Sequence, residues 1–301
     1  MTRREPQVSV VIPVFNGARY VAEVVESALM QEGVGLEVIV IDDGSTDDSD
    51  KVIRKFGASV IYIRQDNRGV ACARNVGIRH ARGCYVALLD QDDRFLRRKL
   101  EMQVRFMDGH SSAVLCHGNL LLIDEDGNPA AADYIGFEGK SPPPSGVVLM
   151  PLYRGNFVHA CTALFRRDVA KSLGLFREDL SLTDDYLLWM RCATKGHVCY
   201  LPEYLAEYRL HAQNASKNEF KMSEGRLLAR LYLLEEVREL LDSRSAREMR
   251  RILTERACQD AYRYCKTGHG VEARRLLAIA RHGGERSVLL WKMWLASFLH
   301  A

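Results

Sequence analysis

The chain has 301 residues, of which 47% are hydrophobic and 27% are charged, and this composition is typical of an ordinary globular protein. No apolar run reaches the roughly 20 residues that a membrane-spanning helix needs, and the first residues lead into an expected strand without the apolar segment of a signal peptide. The net charge of +3 is unevenly distributed, because residues 222–301 carry 15 Lys and Arg against 10 Asp and Glu. In this basic region Arg and Glu are interleaved at helical spacing, which indicates solvated helix faces and argues against a nucleic-acid partner.

Eight cysteines are scattered along the chain without a CxxC pair. Several lie inside apolar runs, so the pattern favours buried thiols in a reducing compartment over a disulfide framework or a zinc site. We therefore expect a cytoplasmic protein.

The first hundred residues alternate short apolar runs with helical patterns. Buried strands are predicted where β-branched or apolar residues follow one another, at residues 8–13, 37–41, 60–63 and 85–89. Helices are predicted between them by apolar spacing and capping residues, at residues 18–31, 48–56 and 71–77. This alternation predicts a parallel sheet with helices on its faces, and such sheets bind ligands beyond the carboxyl ends of their strands.

Polar residues collect where these strands end. They are Asn16, Asp42, Asp43, Asp66 to Arg68 and Asp90 to Asp93. Asp90, Asp92 and Asp93 place three like charges within four positions, and a cation that neutralises them is the explanation we favour. Carboxylate oxygens suit Mg²⁺ or Mn²⁺, and Mg²⁺ is often held by one or two carboxylates together with substrate phosphates. The alternative is a solvated turn followed by a helix N-cap.

The second half is less regular. Residues 124–128 predict a turn between two strands, and the proline-rich residues 140–146 predict a loop. A strand is expected at residues 156–167, and two more at 198–201 and 205–210. Thr183 to Asp185 are expected to cap a helix, and from Met222 onward the pattern is helical, with breaks near Ser243, residues 268–270 and residues 283–284.

Six motifs, in matching order and spacing, give residues 8–217 a resemblance to the family-2 glycosyltransferases. They are VVIPVFN at 10–16, IDDGSTD at 41–47, NRGVACARNVG at 67–77, LDQDD at 89–93, TDDYLLWMR at 183–191 and YRLH at 208–211. The resemblance implies the α/β fold called GT-A, a Rossmann-like mixed, mainly parallel sheet flanked by helices. It places a catalytic domain at residues 1–221, with a nucleotide-binding half to about residue 100 and an acceptor half from about 101, and a helical extension at 222–301.

The same resemblance implies an inverting, metal-dependent transferase that moves a sugar from a nucleotide-diphosphate sugar, most commonly a UDP-sugar, to a hydroxyl of a glycan or lipid-linked acceptor in cell-surface polysaccharide or glycan synthesis. The residues expected to bind the nucleotide are Pro13, Asn16, Asp42, Asp43, Asp66, Arg74 and Asp90. Among these, Asp42 is expected to read the base and Arg74 to neutralise charge, with a solvated arginine on a helix face as the alternative for Arg74. Asp92, Asp90 and His211 are expected to hold Mn²⁺ or Mg²⁺, with a structural role for His211 as the alternative.

Asp184 and Asp185 stand where the family usually has Glu-Asp, and the second carboxylate is expected to deprotonate the acceptor hydroxyl. Asp185 is therefore the expected base, and Asp184 a positioning or capping residue. Here Asp replaces Glu at the first position, which leaves open any role of the longer side chain. An N-cap role would account equally well for one of the two aspartates.

Two other functions remain open, a non-catalytic nucleotide-sugar-binding module of the same fold and a nucleotidyltransferase, although the latter leaves Asp184 and Asp185 without a task.

Residues 286–299 are apolar on most faces and include two Trp. They are too short to span a membrane. They are expected either to lie at the inner face of the plasma membrane near a lipid-linked acceptor, or to pack on the catalytic domain or on the second subunit of a homodimer.

Overall fold

The computed structural model describes residues 5–130, 142–180, 182–283, 292–294 and 297. The chain divides into two compact units. Unit 1 comprises Met1–Leu149, Asn156–Glu178 and Arg191–Asn214, and unit 2 comprises Met150–Gly155, Asp179–Met190 and Ala215–Ala301.

Unit 1 is built on a sheet whose strand order is β3-β2-β1-β4-β7-β6-β8-β5. The strands are β1 (Val8–Val14), β2 (Leu36–Asp42), β3 (Ile61–Arg64), β4 (Tyr85–Leu88), β5 (Arg94–Phe95), β6 (Ala113–Ile123), β7 (Leu164–Arg166) and β8 (His197–Arg209). The α-helices of the chain are α1 (Val21–Leu29), α2 (Ser49–Arg54), α3 (Val70–His80), α4 (Lys99–Gly109), α5 (Leu149–Arg154), α6 (Arg167–Ser172), α7 (Asp184–Ala193), α8 (Glu219–Glu236), α9 (Ser243–Lys266) and α10 (Gly270–His282).

The sheet is mixed and mainly parallel, as predicted. Strands β3, β2, β1 and β4 pair in parallel, and β7 is antiparallel to both β4 and β6. As a result β6 resumes the direction of β4, and β8 runs parallel to β6. The carboxyl ends of β1, β2 and β4 therefore meet at one edge of the sheet, the position at which open α/β sheets bind ligands.

The apolar patterns explain the packing around the central strands. Every residue of β1 is buried, and α1 turns its apolar stripe toward the core. Pro13 lies beyond the residues of β1 that pair with β4, so its missing N–H removes no bond from that pairing. Helix α3 approaches β1 closely at Gly77, where an added Cβ would clash with Cγ1 of Val11, so only glycine fits there without a shift.

Two strand predictions in the second half were wrong in extent. The strands expected at 198–201 and 205–210 form the single strand β8. It continues past Pro202 because its pairing with β6 shifts register between Tyr200 and Tyr204, an irregularity at which proline is tolerated, and β5 pairs only farther along, at Ala206 and Glu207. Within the expected strand at 156–167, a 3₁₀ turn occupies Ala160–Thr162 and only Leu164–Arg166 is extended, where it pairs with β4 and β6.

Helices α8, α9 and α10 pack on one another in unit 2 and confirm, as far as His282, the helical pattern predicted from Met222 onward. The predicted break near Ser243 is the start of α9, where the Asp242 carboxylate accepts bonds from the amides of Arg244 and Ser245. In the part of the chain that the structure describes, no helix has both the length and the apolarity to cross a membrane. Most of residues 286–299 lie outside the described residues, so their membrane or subunit contact stays a prediction.

All eight cysteines are free thiols, and all except Cys84 are buried. The prediction of buried thiols is confirmed for seven of them. None is arranged as part of a disulfide framework.

His117 of β6 makes stability depend on pH. The residue is 1% exposed, neither ring nitrogen has a hydrogen-bond partner, and the ring packs against Phe157 and Tyr200 with centroids 5.6 Å away in each case. Burial, with a smaller contribution from His159, lowers the pKa of His117 to about 3. Because an unfolded histidine has a pKa of about 6.5, only the unfolded chain binds this proton between those values, so stability falls as the pH drops below about 6.5.

We expect this single group to cost roughly 2 kcal/mol of stability between pH 7 and pH 5. Urea unfolding at both pH values, with the wild type and His117→Leu, measures the effect, and the variant should lose correspondingly less stability on acidification. His80→Gln is the matched control, since His80 is exposed. Equal pH dependence in the wild type and His117→Leu would refute the assignment.

Candidate functional site

The loops that follow β1 and β2 are tied to each other. Val14 is in register with Asp42, and beyond these residues the Asn16 amide donates to Ser45 Oγ at 3.0 Å. The Asn16 side chain accepts from the Thr46 amide at 2.8 Å. Asn16 has a φ of +52°, a left-handed conformation that Asn adopts more readily than most residues. The structure therefore brings the first two predicted nucleotide-binding motifs together, with Asn16 exposed and Pro13 buried in β1.

Asp42 ends β2 as a buried carboxylate with no exposed side-chain surface. It accepts hydrogen bonds from the Ser45 amide at 2.8 Å, the Tyr62 hydroxyl at 2.7 Å and Arg64 Nη1 at 2.9 Å. Burial opposes ionisation, but the bonds from Ser45, Tyr62 and Arg64 outweigh it and lower the pKa of Asp42. The ionised group thus shapes the loop after β2. Its contact with a base stays a prediction, and the side chain, which has no exposed surface, would have to become accessible for that contact.

Asp43 fixes the entry to α3. Its carboxylate accepts from Gln65 Nε2 at 2.7 Å and from the amides of Arg68 and Gly69 at 2.9 and 2.8 Å. Gly69 has a φ of +88° immediately before the first residue of α3, a conformation that favours glycine. Asp66, also predicted to bind nucleotide, is exposed on this loop.

Arg74 is held rigidly inside the site. Its side chain is 6% exposed, Nη2 donates to Asp90 Oδ1 at 2.6 Å, and the guanidinium lies 5.6 Å from the centroid of the Phe176 ring. The alternative of a solvated helix-face arginine is therefore wrong. A fixed guanidinium next to the acidic turn is the arrangement expected of a group that neutralises charge.

The acidic turn after β4 concentrates negative charge. Asp90 and Asp92 are partly exposed, whereas Asp93 is buried and accepts a bond from the Arg209 amide at 3.1 Å. Burial, followed by the charge of Asp90, raises the pKa of Asp92. Burial together with the charges of Asp92 and Asp90 raises the pKa of Asp93 well above its usual range. Burial and the mutual repulsion of the three carboxyl groups thus disfavour full ionisation of this turn.

This donor set fits a divalent cation bound together with a diphosphate. Among the residues that the structure describes, no three His, Cys, Asp or Glu side chains are arranged to hold a metal by themselves. Mg²⁺ does not require such a cage, because one or two carboxylates suffice when substrate phosphates complete the coordination shell. Asp90 and Asp92 supply those carboxylates. Burial is the main cause of the raised pKa of Asp92 and the charge of Asp90 is the next, and a cation would offset the second of these.

His211 meets Asp92 as a hydrogen-bond donor. The Gln213 amide donates to His211 Nδ1 at 3.2 Å, so the neutral ring carries its proton on Nε2, which lies 2.8 Å from Asp92 Oδ2. The His211 amide is bound by Asn214 Oδ1 at 2.6 Å, and its ring lies 5.4 Å from that of Tyr20. The structure thus unites two of the predicted metal residues. Metal ligation by His211 stays a prediction, since Nε2 would have to give up its bond to Asp92.

Arg209 lies beside the acidic turn, although no role was predicted for it. Its side chain is fully buried, with Nε donating to the Asp92 carbonyl at 2.9 Å and Nη1 to the Glu125 carbonyl at 3.2 Å. Nη2 pairs with Glu23 at 2.9 Å, and the guanidinium lies 4.6 Å from the Tyr20 ring centroid. One signal was available, because Arg209 lies two residues before His211 in the YRLH motif. The partners themselves come from three distant segments.

Asp184 and Asp185 open α7 in unit 2, whereas the nucleotide and metal candidates belong to unit 1. Asp184 is 1% exposed, and Asp185 is partly exposed with Oδ1 accepting from the Tyr186 amide at 2.7 Å. This difference in exposure agrees with the predicted division, in which Asp185 meets the substrate and Asp184 positions the helix. The catalytic role of either stays a prediction.

Solved structures share this architecture. That of S. aureus TarS 1–349 in complex with UDP-GlcNAc superposes with a TM-score of 0.69 at 19% identity, covering 91% of this chain and 79% of the TarS chain. That of the mannosyltransferase PcManGT from Pyrobaculum calidifontis, in complex with GDP-Man and Mn²⁺, gives 0.59 at 17% identity, covering 99% and 81%. Identities this low establish the fold alone, and they confirm the predicted GT-A fold.

The family follows from the sequence comparison. Residues 9–174 match the model of glycosyl transferase family 2, and the chain belongs to this family. An uncharacterized glycosyltransferase of Rickettsia felis is 32% identical over 70% of this chain. The match spans only 35% of the length of that protein. Bacillus subtilis TuaG, a glycosyltransferase named for teichuronic acid biosynthesis, is 30% identical over 74% of this chain and 87% of its own length.

Proposed function

We propose that the chain transfers a sugar from a nucleotide-diphosphate sugar to an acceptor hydroxyl, with a divalent cation and with inversion at the anomeric carbon. The observation that carries this proposal is the meeting of three strand-end motifs at one edge of the unit 1 sheet. There the loops that contain Asn16 and follow Asp42 are joined by hydrogen bonds. The acidic turn with Asp90 and Asp92 follows β4, the strand that pairs with β1 on its other side. A UDP-sugar is the proposed donor, because TarS, of the same fold, has been solved with UDP-GlcNAc.

In unit 1 the protein's part is to hold charge in fixed positions. Arg74 orients Asp90, while Arg209 and His211 hold Asp92 through its carbonyl and its carboxylate. The two carboxylates would bind Mn²⁺ or Mg²⁺, and the bound cation would stabilise the charge that develops on the departing diphosphate. Positions fixed before the reaction cost no reorganisation during it.

In unit 2 the proposed base is Asp185. Its carboxylate would take the proton of the acceptor hydroxyl as that oxygen forms a bond to the anomeric carbon and the bond to the diphosphate breaks. The electron pair of the broken bond leaves with the nucleoside diphosphate, and attack opposite the leaving group inverts the configuration. Asp185 lies at the first turn of α7, where the helix dipole favours a negative charge.

The acceptor is proposed to be a growing glycan or a lipid-linked sugar at the inner face of the plasma membrane. The support is by analogy, from relatives such as TuaG that are named for polysaccharide synthesis. A second subunit and a membrane contact through residues 286–299 belong to the same proposal.

A thermal-shift panel tests the donor. UDP-, GDP- and dTDP-sugars are added with Mn²⁺ or with EDTA, and a ligand present at 100 times its Kd should stabilise the folded chain by about 2.7 kcal/mol. We expect the largest shift with a UDP-sugar and only when Mn²⁺ is present. Stabilisation by none of the nucleotide sugars would refute the proposed function. Turnover is then followed as release of nucleoside diphosphate, with p-nitrophenyl glycosides as acceptors.

A further inference from the structure

We propose that Arg230 of α8 is a positioning residue for Asp185, so that the C-terminal helices form part of the catalytic apparatus. The inference rests on the proposed function, in which Asp185 is the base. The segment that carries Asp185 belongs to the same compact unit as residues 215–301. Its placement within that unit therefore depends on what α8 contributes.

Arg230 is a buried cation that binds main-chain oxygens. It is 4% exposed, and its Nε donates to the Tyr153 carbonyl at 2.7 Å while Nη2 donates to the Arg154 carbonyl at 3.1 Å. A third bond runs from Nη1 to the Arg226 carbonyl of its own helix at 3.1 Å. In return the Tyr153 hydroxyl donates to the Arg230 carbonyl at 3.2 Å. Residues 153–154 are thus fixed to α8 by the planar fork of one guanidinium.

Tyr186 connects this anchor to the proposed base. It follows Asp185 directly, its ring is 1% exposed, and the Arg230 guanidinium lies 5.3 Å from the ring centroid. Its hydroxyl donates to the Leu152 carbonyl at 2.6 Å. Burial raises the pKa of Tyr186, so this hydroxyl is a neutral donor at physiological pH. Arg230 therefore holds both the ring of Tyr186 and the segment to which its hydroxyl is bonded.

The adjacent amide links Tyr186 to the carboxylate itself. The Tyr186 N–H donates to Asp185 Oδ1 at 2.7 Å, so the orientation of the tyrosine main chain sets the orientation of the carboxylate. A second residue of α8 also reaches this part of the chain, since the Tyr232 hydroxyl lies 3.5 Å from Asp179 Oδ2. A displacement of about 1 Å at a reacting group can cost a hundredfold in rate, so this support matters for turnover.

Arg230→Lys tests the inference because it keeps the charge and loses the fork. We expect kcat to fall about 10- to 100-fold, the range usual for residues that orient a reacting group. The KM for the donor and the Mn²⁺-dependent thermal shift with the UDP-sugar should stay at wild-type values, since the nucleotide candidates lie in unit 1. Tyr186→Phe, which removes one hydroxyl, should change kcat in the same direction and serves if Arg230→Lys does not fold. Arg247→Met, at an exposed arginine of α9, is the matched control and should retain wild-type kcat.

The double variant separates positioning from a merely structural role. If Arg230 acts through Asp185, adding Arg230→Lys to Asp185→Asn should lower kcat no further than Asp185→Asn alone. A further, multiplicative loss would overturn the inference, and so would wild-type kcat in both Arg230→Lys and Tyr186→Phe when Asp185→Asn is inactive. Wild-type turnover in Asp185→Asn would instead overturn the proposed base, so the two failures are distinguishable.

Discussion

Asp185→Asn is expected to lower the rate of sugar transfer by about 10²–10⁴-fold, the contribution that general-base catalysis usually makes. The amide is nearly isosteric and its oxygen can still accept the Tyr186 amide bond, so stability should barely change. Donor binding should persist, because Asp42, Arg74 and Asp92 are untouched. The measurement is kcat under saturating donor, with the donor thermal shift recorded on the same preparations.

Asp184→Asn is the matched comparison for this prediction. Its carboxylate is buried at the start of the same helix, so we expect its substitution to affect stability more and chemistry less. Near-normal turnover in Asp185→Asn with loss in Asp184→Asn would show that the assignment is wrong by one residue. Full activity in both variants would place the base elsewhere.

The second large effect is expected from Asp92→Asn, which should abolish the divalent-dependent part of nucleotide binding. Loss of residues that only orient metal ligands typically costs 10- to 100-fold in metal affinity, so loss of a ligand should cost at least about that much. The fold should survive. Burial and Asp90 raise the pKa of Asp92, so a neutral amide removes repulsion, and its oxygen can still accept the His211 bond.

Calorimetric titration of UDP into each protein, with Mn²⁺ and with EDTA, measures this effect. The wild type should bind more tightly with Mn²⁺, and Asp92→Asn should bind equally under both conditions. Asp48→Asn, at an aspartate whose side chain is 70% exposed, should behave as the wild type. An unchanged Mn²⁺-dependent affinity in Asp92→Asn would refute the assignment of Asp92 as a metal ligand.

Local patterns predicted the parallel half of the sheet well, since apolar runs such as residues 8–13 and 37–41 are buried on both faces and carry their own signal. They also predicted that Asp42, Asp43, Asp90 and Asp92 lie together, because parallel strands end at one edge. The extent of β8 was missed. Pro202 lies between the two expected strands, and the strand continues past it because the pairing with β6 shifts register there, which local sequence does not reveal.

The remaining features depend on partners far away in sequence. Nothing in the sequence indicates that the Asp42 carboxylate accepts hydrogen bonds from Tyr62 and Arg64. Nor does it indicate that Arg209 donates to the Asp92 carbonyl, 117 positions away. The sequence also could not predict that residues 179–190 group with the C-terminal helices. Hydrophobic periodicity shows which face of a helix or strand is apolar, but it does not show which other element packs on that face.

The acidic turn is synthesised well before the strand β8 that completes its surroundings. Strand β5, which follows it, pairs with β8, and Asp93 receives the Arg209 amide across 116 positions. During translation from the amino terminus, Asp90 to Asp93 leave the ribosome long before the segment that completes their surroundings. Closing so long a loop is slow, and β pairings of this range form late in folding. The proposed metal-binding turn should therefore stay unfinished and solvated in the nascent chain until β8 has emerged. Donor binding, as proposed for this turn, should then be acquired late in folding.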